Sequence, residues 1–595
     1  MAVTTLVDMF LDVTNRFGSK TSFMEKIDGE YQGFTYDELA GKVRQFALGL
    51  ASLGVKHGDR VALMSENRIQ WVISDLGILS LGATNVPIYP TITPEQIRYI
   101  LKDAEVRLII VSTKELLEKV LAIFDDLPKL EKIIYMEDTP QQADYLIPYD
   151  DIYKMGAEFE KDHPKYYDDA VSKIQPDDLC GIIYTSGTTG APKGVMLTHD
   201  NILSNVQSGL KVLNINEKDT FLSFLPLCHS FERMAGLYIP ICAAAKVAYA
   251  ESVDTVVDNL SEVHPTIMTS VPRMFEKIYS GVMANAQAGS PLKQKIFCWA
   301  VATGGKYADA KAAGKVPAFL NFKYNLATKL VFSKLHEKVG GKLRYFISGG
   351  APLVRDIAEF FNKAGILILE GYGLTETSPV IAVNKEEKNK FGTVGPALPG
   401  VEVKIADDGE ILTRGPHVMK GYYKNPDATS EMIDADGWLH TGDIGQLDDE
   451  GYLSITDRKK NIIVTSGGKN VTPASIENVL ISSQYIEQIM VVGDRRKFLS
   501  ALIVPSFDAL KKYADENGIS YKDQNDLVVN EQIHEMMDKM IRETTAHLAR
   551  FEQIKKFALL PKELTIEAGE ITPSLKVKRK VVEEKYSDMI ERMYE

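Results

Sequence analysis

A stretch rich in glycine, hydroxyl side chains and one lysine, YTSGTTGAPKG, occupies residues 184–194. Glycines let backbone N–H groups approach an anion, hydroxyls donate further hydrogen bonds, and a lysine adds positive charge. The stretch differs from a Walker A loop, because Pro192 stands at the second glycine position and Gly194 follows the lysine. We predict a phosphate-binding loop of another kind, although a β-hairpin with a polar turn is the simpler alternative. Its candidate ligands are Ser186, Gly187, Thr188, Thr189, Gly190 and Lys193.

A second stretch with chemical potential is EGYGLTETSP, residues 370–379. It is not a dinucleotide fingerprint, because Glu376 stands at the last glycine position. Tyr372 offers a ring on which a planar base can stack, and Thr375 offers a hydroxyl. Glu376 offers a carboxylate for a Mg²⁺ ion that bridges phosphates. An ordinary strand-to-helix turn, with Thr377 or Ser378 as N-cap, explains the same letters equally well.

Three further stretches contribute single candidates. SGGAPL, residues 348–353, follows a predicted strand, and ligands of open α/β sheets bind where strands end. In DGWLHTGDIG, residues 436–445, Asp443 is placed to accept two ribose hydroxyls, unless it is a β-turn aspartate. His229 could line a pocket, but a lone histidine is more often structural.

The pattern of elements predicts an α/β fold. Short apolar runs such as LIIVS and GIIYTS alternate with amphipathic stretches over the first 400 residues or so, which favours mainly parallel sheets. From Gly395 the sequence is rich in Gly and Pro with short alternating strands, which predicts a small β-barrel-like unit. The charged run DRKKN, residues 457–461, precedes further α and β elements and predicts a domain boundary.

Composition limits the classes of function. The 595 residues carry a net charge of −13, which argues against nucleic acid as a main partner. The four cysteines are scattered, which is typical of a reducing compartment and excludes a CxxC zinc spacing. Residues 234–245 are uncharged but too short to span a bilayer. We therefore expect a cytoplasmic protein that can contact membranes peripherally; the oligomeric state stays open, a homodimer included.

Taken together, YTSGTTGAPKG, GYGLTET, HTGDIG and DRKKNIIVTSGGKNVTPASIE resemble the adenylate-forming superfamily of acyl-CoA synthetases, adenylation domains and luciferases. LPLCHSFER and a lysine- and aromatic-rich insert, residues 281–341, are most similar to the long-chain fatty acid–CoA ligases. The resemblance implies a large N-terminal domain of two mainly parallel sheets with helices and the small β unit, and a small mobile α+β C-terminal domain. The expected boundaries are 1–457 and 458–595.

The resemblance also implies a two-step reaction. A fatty carboxylate attacks the α-phosphate of ATP with Mg²⁺ present and expels diphosphate, and the thiol of coenzyme A then attacks the acyl-adenylate and releases AMP. Thr185 and the loop up to Lys193 would hold the outer phosphates, with Thr185 and Glu376 at the metal and Thr375 at the α-phosphate. Tyr372 would hold adenine, Asp443 and Arg458 the ribose, and His229 would line the acyl pocket. The nucleotide set is completed by Gly349, Gly350, Ala351, Glu370, Gly371 and Gly373.

The C-terminal part supplies the remaining implied roles. A catalytic lysine that reaches the α-phosphate corresponds to Lys576 in TPSLKVKR, with Lys578 as the alternative register. The chain would pivot at Lys460 between the two half-reactions, and Gly468 and Lys469 in the SGGKN loop would then face coenzyme A. Two alternatives stay open: an adenylate-forming enzyme for another acid or for a carrier protein, and a nucleotide-regulated binding protein without turnover.

Overall fold

The structure is a computed structural model that describes residues 3–139, 142–185, 191–467, 469–565, 568–571 and 577–595 of the chain. The strands, in chain order, are β1 Thr21–Ile27, β2 Glu30–Thr35, β3 Arg60–Met64, β4 Thr84–Ile88, β5 Leu108–Val111, β6 Lys132–Tyr135, β7 Leu146–Pro148, β8 Leu179–Thr185, β9 Lys193–Thr198, β10 Thr220–Ser223, β11 Lys246–Tyr249, β12 Ile267–Ser270, β13 Tyr345–Ser348, β14 Leu367–Gly373, β15 Val380–Val383, β16 Glu402–Ile405, β17 Glu410–Arg414, β18 Gly421–Tyr422, β19 Leu439–Leu447, β20 Leu453–Arg458, β21 Ile463–Val464, β22 Asn470–Val471, β23 Ile486–Val492, β24 Leu499–Pro505 and β25 Ile554–Leu559.

The α-helices are α1 Leu6–Phe17, α2 Tyr36–Ser52, α3 Ile69–Ser80, α4 Pro94–Asp103, α5 Lys114–Leu121, α6 Tyr149–Asp162, α7 Tyr166–Val171, α8 His199–Val212, α9 Ser230–Glu232, α10 Ile239–Cys242, α11 Val256–Val263, α12 Pro272–Gln287, α13 Pro291–Ala312, α14 Ala318–Ala327, α15 Ser333–Lys338, α16 Arg355–Lys363, α17 Pro426–Met432, α18 Pro473–Ile481, α19 Phe507–Glu516, α20 Gln524–Val529, α21 Glu531–Thr544, α22 Arg579–Lys585 and α23 Ser587–Tyr594. Two π-helical turns, Arg233–Tyr238 and Thr328–Phe332, and three 3₁₀ turns, Phe124–Asp126, Thr375–Thr377 and Lys459–Asn461, complete the described helical segments.

Two sheets of eight described strands each form the framework. The first has the order β15-β14-β13-β12-β10-β11-β1-β2 and is parallel except at its two edges. The second has the order β18-β9-β8-β4-β3-β5-β6-β7 and is parallel from β8 to β7. Central strands such as β4 and β13 are buried along their whole length, as expected when helices cover both faces of a parallel sheet. The predicted α/β class is therefore confirmed.

Smaller sheets follow in the second part of the chain. The β unit expected from Gly395 is a four-stranded antiparallel sheet with the order β16-β17-β19-β20. Beyond it, the pair β21-β22 and the three-stranded sheet β23-β24-β25 pack with α18–α23 on apolar clusters of their own. In the second large sheet, β9 ends at Thr198, because the Thr198 hydroxyl accepts the Asn201 N–H and caps α8.

A buried polar cluster joins the two large sheets. Arg233 follows β10 of the first sheet, and its guanidinium donates to the Asp75 carboxylate on α3 and to the Cys180 carbonyl on β8 of the second. The hydroxyl of Tyr238 and the amide of Asn85 also donate to Asp75, at 2.6 Å each. These hydrogen bonds offset part of the cost of burying the two charges, although Arg233 Nε and Nη1 make none within the described part of the chain. The cluster fixes the segment after β10, which carries residues of the candidate site.

Candidate active site

The predicted phosphate loop lies between two paired strands of the second large sheet. β8 and β9 pair in antiparallel fashion, and the register sets Thr185 opposite Lys193 at the base of the turn. The predicted ligands Ser186, Gly187, Thr188, Thr189 and Gly190 lie outside the described residues. The pairing of β8 and β9 is compatible with a phosphate-binding loop and with a plain β-hairpin. The surroundings of Lys193 are therefore needed to distinguish the two.

Tyr422 links Lys193 to Glu376. It lies on β18, which pairs with β9, so that the Lys193 ammonium sits 4.9 Å from the centre of its ring. The Tyr422 hydroxyl donates to Glu376 Oε1 at 2.8 Å. Burial, and then the Glu376 carboxylate, raise the pKa of this tyrosine, so it remains a donor. A cation and a carboxylate from segments nearly 200 residues apart thus meet on one aromatic ring.

The 3₁₀ turn between β14 and β15 positions Glu376. Its backbone carbonyl accepts the Met419 N–H at 2.9 Å, which ties the turn to the segment entering β18. The carboxylate is half-buried. No cluster of three or more His, Cys, Asp or Glu that could hold a metal occurs among the described residues. A single carboxylate suits Mg²⁺ when phosphate oxygens of a nucleotide supply further ligands, so the residues fit a cation that arrives with its nucleotide.

A second cluster forms at the edge of the four-stranded sheet. The register of β19 and β20 sets Asp443 opposite Arg458, and Arg458 Nε lies 3.1 Å from Asp443 Oδ1. From β14, the hydroxyl of Tyr372 donates to Asp443 Oδ2 at 2.7 Å. Burial and the Asp443 carboxylate raise the pKa of Tyr372 well above its usual value. The structure brings together the residues predicted to contact adenine and ribose, and both oxygens of the carboxylate are held in place.

Thr375 faces the segment that contains His229. The Thr375 and Ser230 hydroxyl oxygens lie 3.3 Å apart. His229 precedes α9, and its Nδ1 accepts the Phe231 N–H at 3.1 Å. The histidine ring also meets Tyr89 edge-on, with 6.4 Å between centroids. His229 therefore caps α9, and the next residue, Ser230, is the one that contacts Thr375.

Close packing explains some of the candidate glycines. A Cβ at Gly349 would meet the Phe231 ring at 3.1 Å, and a Cβ at Gly373 would meet the Pro379 carbonyl oxygen at 1.7 Å. Gly350 has a φ of 82°, a left-handed conformation that glycine adopts without strain. Gly371 lies against β15, where a Cβ would make ordinary contacts, and Ala351 is exposed. These positions are shaped by backbone packing at the ends of β13 and β14.

Glu370 is the most unusual of the candidates in its ionisation. It is 8 % exposed on β14. Burial raises its pKa to about 8, while a hydrogen bond from the Leu353 backbone opposes the shift. The carboxyl is therefore mainly protonated at neutral pH and can donate a hydrogen bond.

The candidates beyond the predicted boundary are described only in part. Lys460 is exposed in the 3₁₀ turn Lys459–Asn461, and Lys469 is exposed with its ammonium 5.9 Å from the Phe551 ring centre. Gly468 and Lys576 lie outside the described residues, whereas the alternative lysine, Lys578, directly precedes α22 and makes no side-chain capping bond to it.

Two residues that contact the candidates escaped sequence reasoning. Tyr422 stands in GYY, where nothing marks which tyrosine turns inwards, and Ser230 is one hydroxyl next to the more conspicuous His229. Successive side chains of an extended chain point to opposite faces, so one of Tyr422 and Tyr423 is expected to point inwards, but the pattern does not say which one. Neither the contact of Tyr422 with Glu376 nor that of Ser230 with Thr375 has a signal in sequence spacing.

Comparison with known proteins agrees with this fold. The anthranilate CoA ligase AuaEII, solved with anthranoyl-AMP, superposes with a TM-score of 0.76 at 21% identity, over 98% of each chain. ATP-bound MatB from Rhodopseudomonas palustris superposes with a TM-score of 0.69 at 22% identity, over 98% of this chain and 99% of that one. The chain thus has the fold of adenylate-forming enzymes.

Sequence comparison gives the family. The AMP-binding enzyme family matches residues 10–423, and the AMP-binding enzyme C-terminal domain matches residues 460–595. Long-chain-fatty-acid–CoA ligase FadD15 of Mycobacterium bovis is 36% identical over 96% of this chain and 94% of its own. The peroxisomal long chain acyl-CoA synthetase 7 of Arabidopsis thaliana is 33% identical over 95% and 82%. The chain belongs to the AMP-binding enzyme family.

Proposed function

We propose that this protein is a long-chain fatty acid–CoA ligase that works through an acyl-adenylate. The observation that carries the proposal is the meeting of Lys193 and Glu376 on Tyr422, at the base of the glycine-rich hairpin. A cation next to a metal-binding carboxylate suits the triphosphate of ATP, and the relatives over most of the chain are named as long-chain ligases.

In the first half-reaction a carboxylate oxygen of the fatty acid attacks the α-phosphorus of ATP. The bond from that phosphorus to the bridging oxygen breaks, and diphosphate leaves. Lys193 and the loop from Thr185 would neutralise the departing charge, and Thr375 would contact the α-phosphate. Both reactants are anions, so electrostatic stabilisation at fixed positions accounts for the chemistry without a side-chain nucleophile. Glu376 and Thr185 would hold Mg²⁺, which would further neutralise phosphate charge.

In the second half-reaction the thiolate of coenzyme A attacks the acyl carbonyl, and AMP leaves. Asp443 and Arg458 hold the ribose, while Tyr372 and the loop 349–351 hold adenine. Glu370, Gly371 and Gly373 shape the same edge, and His229 borders the acyl pocket. The paired contacts of Asp443 with Tyr372 and Arg458 support these roles, because they fix an acceptor before the nucleotide binds.

The chain is proposed to divide at 457/458 and to pivot at Lys460 between the half-reactions. Lys459, by contrast, contacts Asp408 and Glu410 at 2.6 and 3.0 Å, so the chain is anchored up to the residue before the proposed pivot. One contact across the boundary joins Arg273 to Glu487, whose carbonyl accepts at 2.6 Å. Both side chains are 38% exposed, and such pairs contribute no more than about 1 kcal/mol, which a rotation can exchange readily. Lys576 would act before the rotation, and Gly468 and Lys469 after it.

A diphosphate-release assay with palmitate, acetate and benzoate, each with and without coenzyme A, tests the proposal. We expect release with palmitate and a thioester only when coenzyme A is present. Absence of release with every acid would refute the enzyme, and release without a coenzyme A thioester would favour a carrier-protein acceptor. Lys576→Ala should abolish adenylate formation but spare thioester formation from supplied acyl-adenylate, whereas equal losses in both would refute its role.

The place of action is proposed to be the cytoplasm, with peripheral contact to membranes that hold the lipidic substrate. No described helix is both long and apolar enough to span a membrane.

A further inference from the structure

A stripe of large apolar side chains lies exposed on one helix of the insert. Phe319, Phe322, Leu326 and Leu330 are 68, 65, 41 and 55% exposed, on α14 and the π-helical turn that continues it. At 3.6 residues per turn the three positions on α14 fall within an arc of about 60°, and Leu330 follows on the π-helical turn. Exposed phenylalanines grouped on one face usually mark a surface that something covers.

The opposite face of the same helix is fixed to the protein. Tyr324 stacks on Tyr307 of α13, with 3.9 Å between ring centres, and Ala327 is buried. Phe332 is buried as well and belongs to the cluster that packs α13 and α16. The packing of the opposite face therefore holds the stripe outwards.

The charge of the insert contrasts with that of the rest of the chain. Residues 281–341 contain nine lysines, no arginine and only Asp309 and Glu337 as acids, a net charge of +7 in a protein of −13. None of these lysines forms an ion pair with another residue of the part that the structure describes. Lys323 instead lies 4.4 Å from the centre of the Phe319 ring, and Lys329 precedes Leu330. The positive charges thus remain available for an external partner.

This combination selects one kind of partner. Phenylalanine and leucine flanked by lysine on one helix face are typical of helices that lie in the interface of an anionic membrane. Each lysine near such a surface adds attraction, and its aliphatic part can follow the apolar face into the headgroup region. A second copy of the chain in symmetric contact would set two basic inserts against each other, which is unfavourable.

We propose that the docking face, Phe319, Phe322, Leu326 and Leu330 with the lysines around them, binds the protein to anionic phospholipid membranes. This proposal assigns a surface to the membrane contact proposed above. It rests on the proposed function only in that a lipidic substrate would give the contact its purpose. The helix lies in the surface of the bilayer, and the bulk of the acidic protein stays in water.

Sedimentation of the full-length protein with vesicles tests the inference. We expect binding to phosphatidylcholine vesicles that contain phosphatidylserine, weak binding to phosphatidylcholine alone, and loss of binding as salt increases. A variant with serine at all four positions of the stripe should bind about tenfold or more weakly. Lys323→Glu with Lys329→Glu should weaken binding to the anionic vesicles in particular.

Matched controls separate this surface from general effects. Val529→Ser removes an apolar side chain that is 73% exposed elsewhere, and Lys161→Glu with Lys165→Glu makes the same charge change at exposed lysines on and just after α6. Both controls should bind like the parent. Unchanged binding by the serine variant, or equal losses in the controls, would overturn the proposal. So would a parent that ignores anionic vesicles but forms an oligomer that the serine variant dissociates.

Activity with dispersed palmitate distinguishes this inference from the proposed function. We expect the serine variant to retain acyl-CoA synthesis from detergent-dispersed substrate, since its changes lie outside the candidate site. Vesicle binding without acyl-CoA synthesis by the parent would refute the function and leave the docking face intact. Acyl-CoA synthesis without vesicle binding would refute the docking face alone.

Discussion

Replacing Tyr422 by phenylalanine removes one hydroxyl from the candidate site and leaves its ring in place. That hydroxyl donates to Glu376 at 2.8 Å, and the ring lies 4.9 Å from the Lys193 ammonium. The substitution therefore tests the hydrogen bond to the proposed metal-binding carboxylate separately from the contact with the lysine. Tyr422 is a positioning residue in this account, because it acts through Glu376.

The size of the effect follows from the kind of bond. A hydrogen bond to a charged group contributes about 1.5–3 kcal/mol, and Glu376 is only half-buried, so water replaces part of the loss. We expect the lower end of that range, which corresponds to roughly a tenfold fall in kcat/KM for ATP. The Mg²⁺ concentration for half-maximal diphosphate release should increase, since the carboxylate is less well oriented. Little change in thermal stability is expected, because the ring still fills its space.

Tyr423→Phe is the matched control. It removes the hydroxyl of the next residue, which makes no hydrogen bond to another described residue. Its kinetics should equal those of the parent. If Tyr422→Phe left both kcat/KM and the Mg²⁺ dependence unchanged while Glu376→Gln was inactive, the positioning argument would be wrong. Equal losses in the two tyrosine variants would also contradict it.

Two further predictions concern buried charges. Burial raises the pKa of Glu370 to about 8, whereas a glutamate in an unfolded chain has a pKa of about 4.3. The protein is therefore destabilised by this residue increasingly as the pH rises from about 4.3 towards 8, and not at lower pH, where the carboxyl is protonated in both states. The Tm of Glu370→Gln relative to the parent should therefore increase between pH 5 and pH 8, and parallel Tm profiles would contradict this. Asp75→Ala leaves the Arg233 charge buried and unpaired, and it should cost about 3–5 kcal/mol in denaturant unfolding. Asp126→Ala, at an exposed pair with Arg98, should cost less than about 1 kcal/mol, and similar losses in the two variants would refute the argument.

The parts of the fold that sequence could predict are those governed by local pattern. Buried runs such as LIIV of β5 become parallel strands, because apolar residues on both faces need helices on both sides of the sheet. The amphipathic stretch from Tyr36 forms α2 and is capped by Thr35. Asp443 and Arg458 could be grouped because the family resemblance assigned both to ribose, and their pairing across β19 and β20 is a consequence of register.

The parts that sequence could not predict depend on packing between distant segments. Tyr422 reaches Glu376 only because β18 adds to the edge of the second large sheet next to β9. The apolar stripe on α14 carries the letters of an ordinary core helix, and only its packing shows which face stays exposed. Burial of Glu370, and hence its raised pKa, also has no signal in the sequence, because it depends on what packs against β14.

The position of the proposed pivot relative to Asp443 has a consequence for the reaction order. Arg458 belongs to β20 and contacts Asp443, which also accepts from Tyr372, and all three residues precede Lys460. A rotation about Lys460 would leave this cluster intact, while the residues beyond Lys460 would change their position relative to it. Asp443 has lone pairs left for ribose hydroxyls although both of its oxygens are engaged. Under the proposed mechanism the ribose would be held by one set of contacts through both half-reactions, so that the acyl-adenylate would stay bound while Lys576 moves away and the loop containing Lys469 approaches.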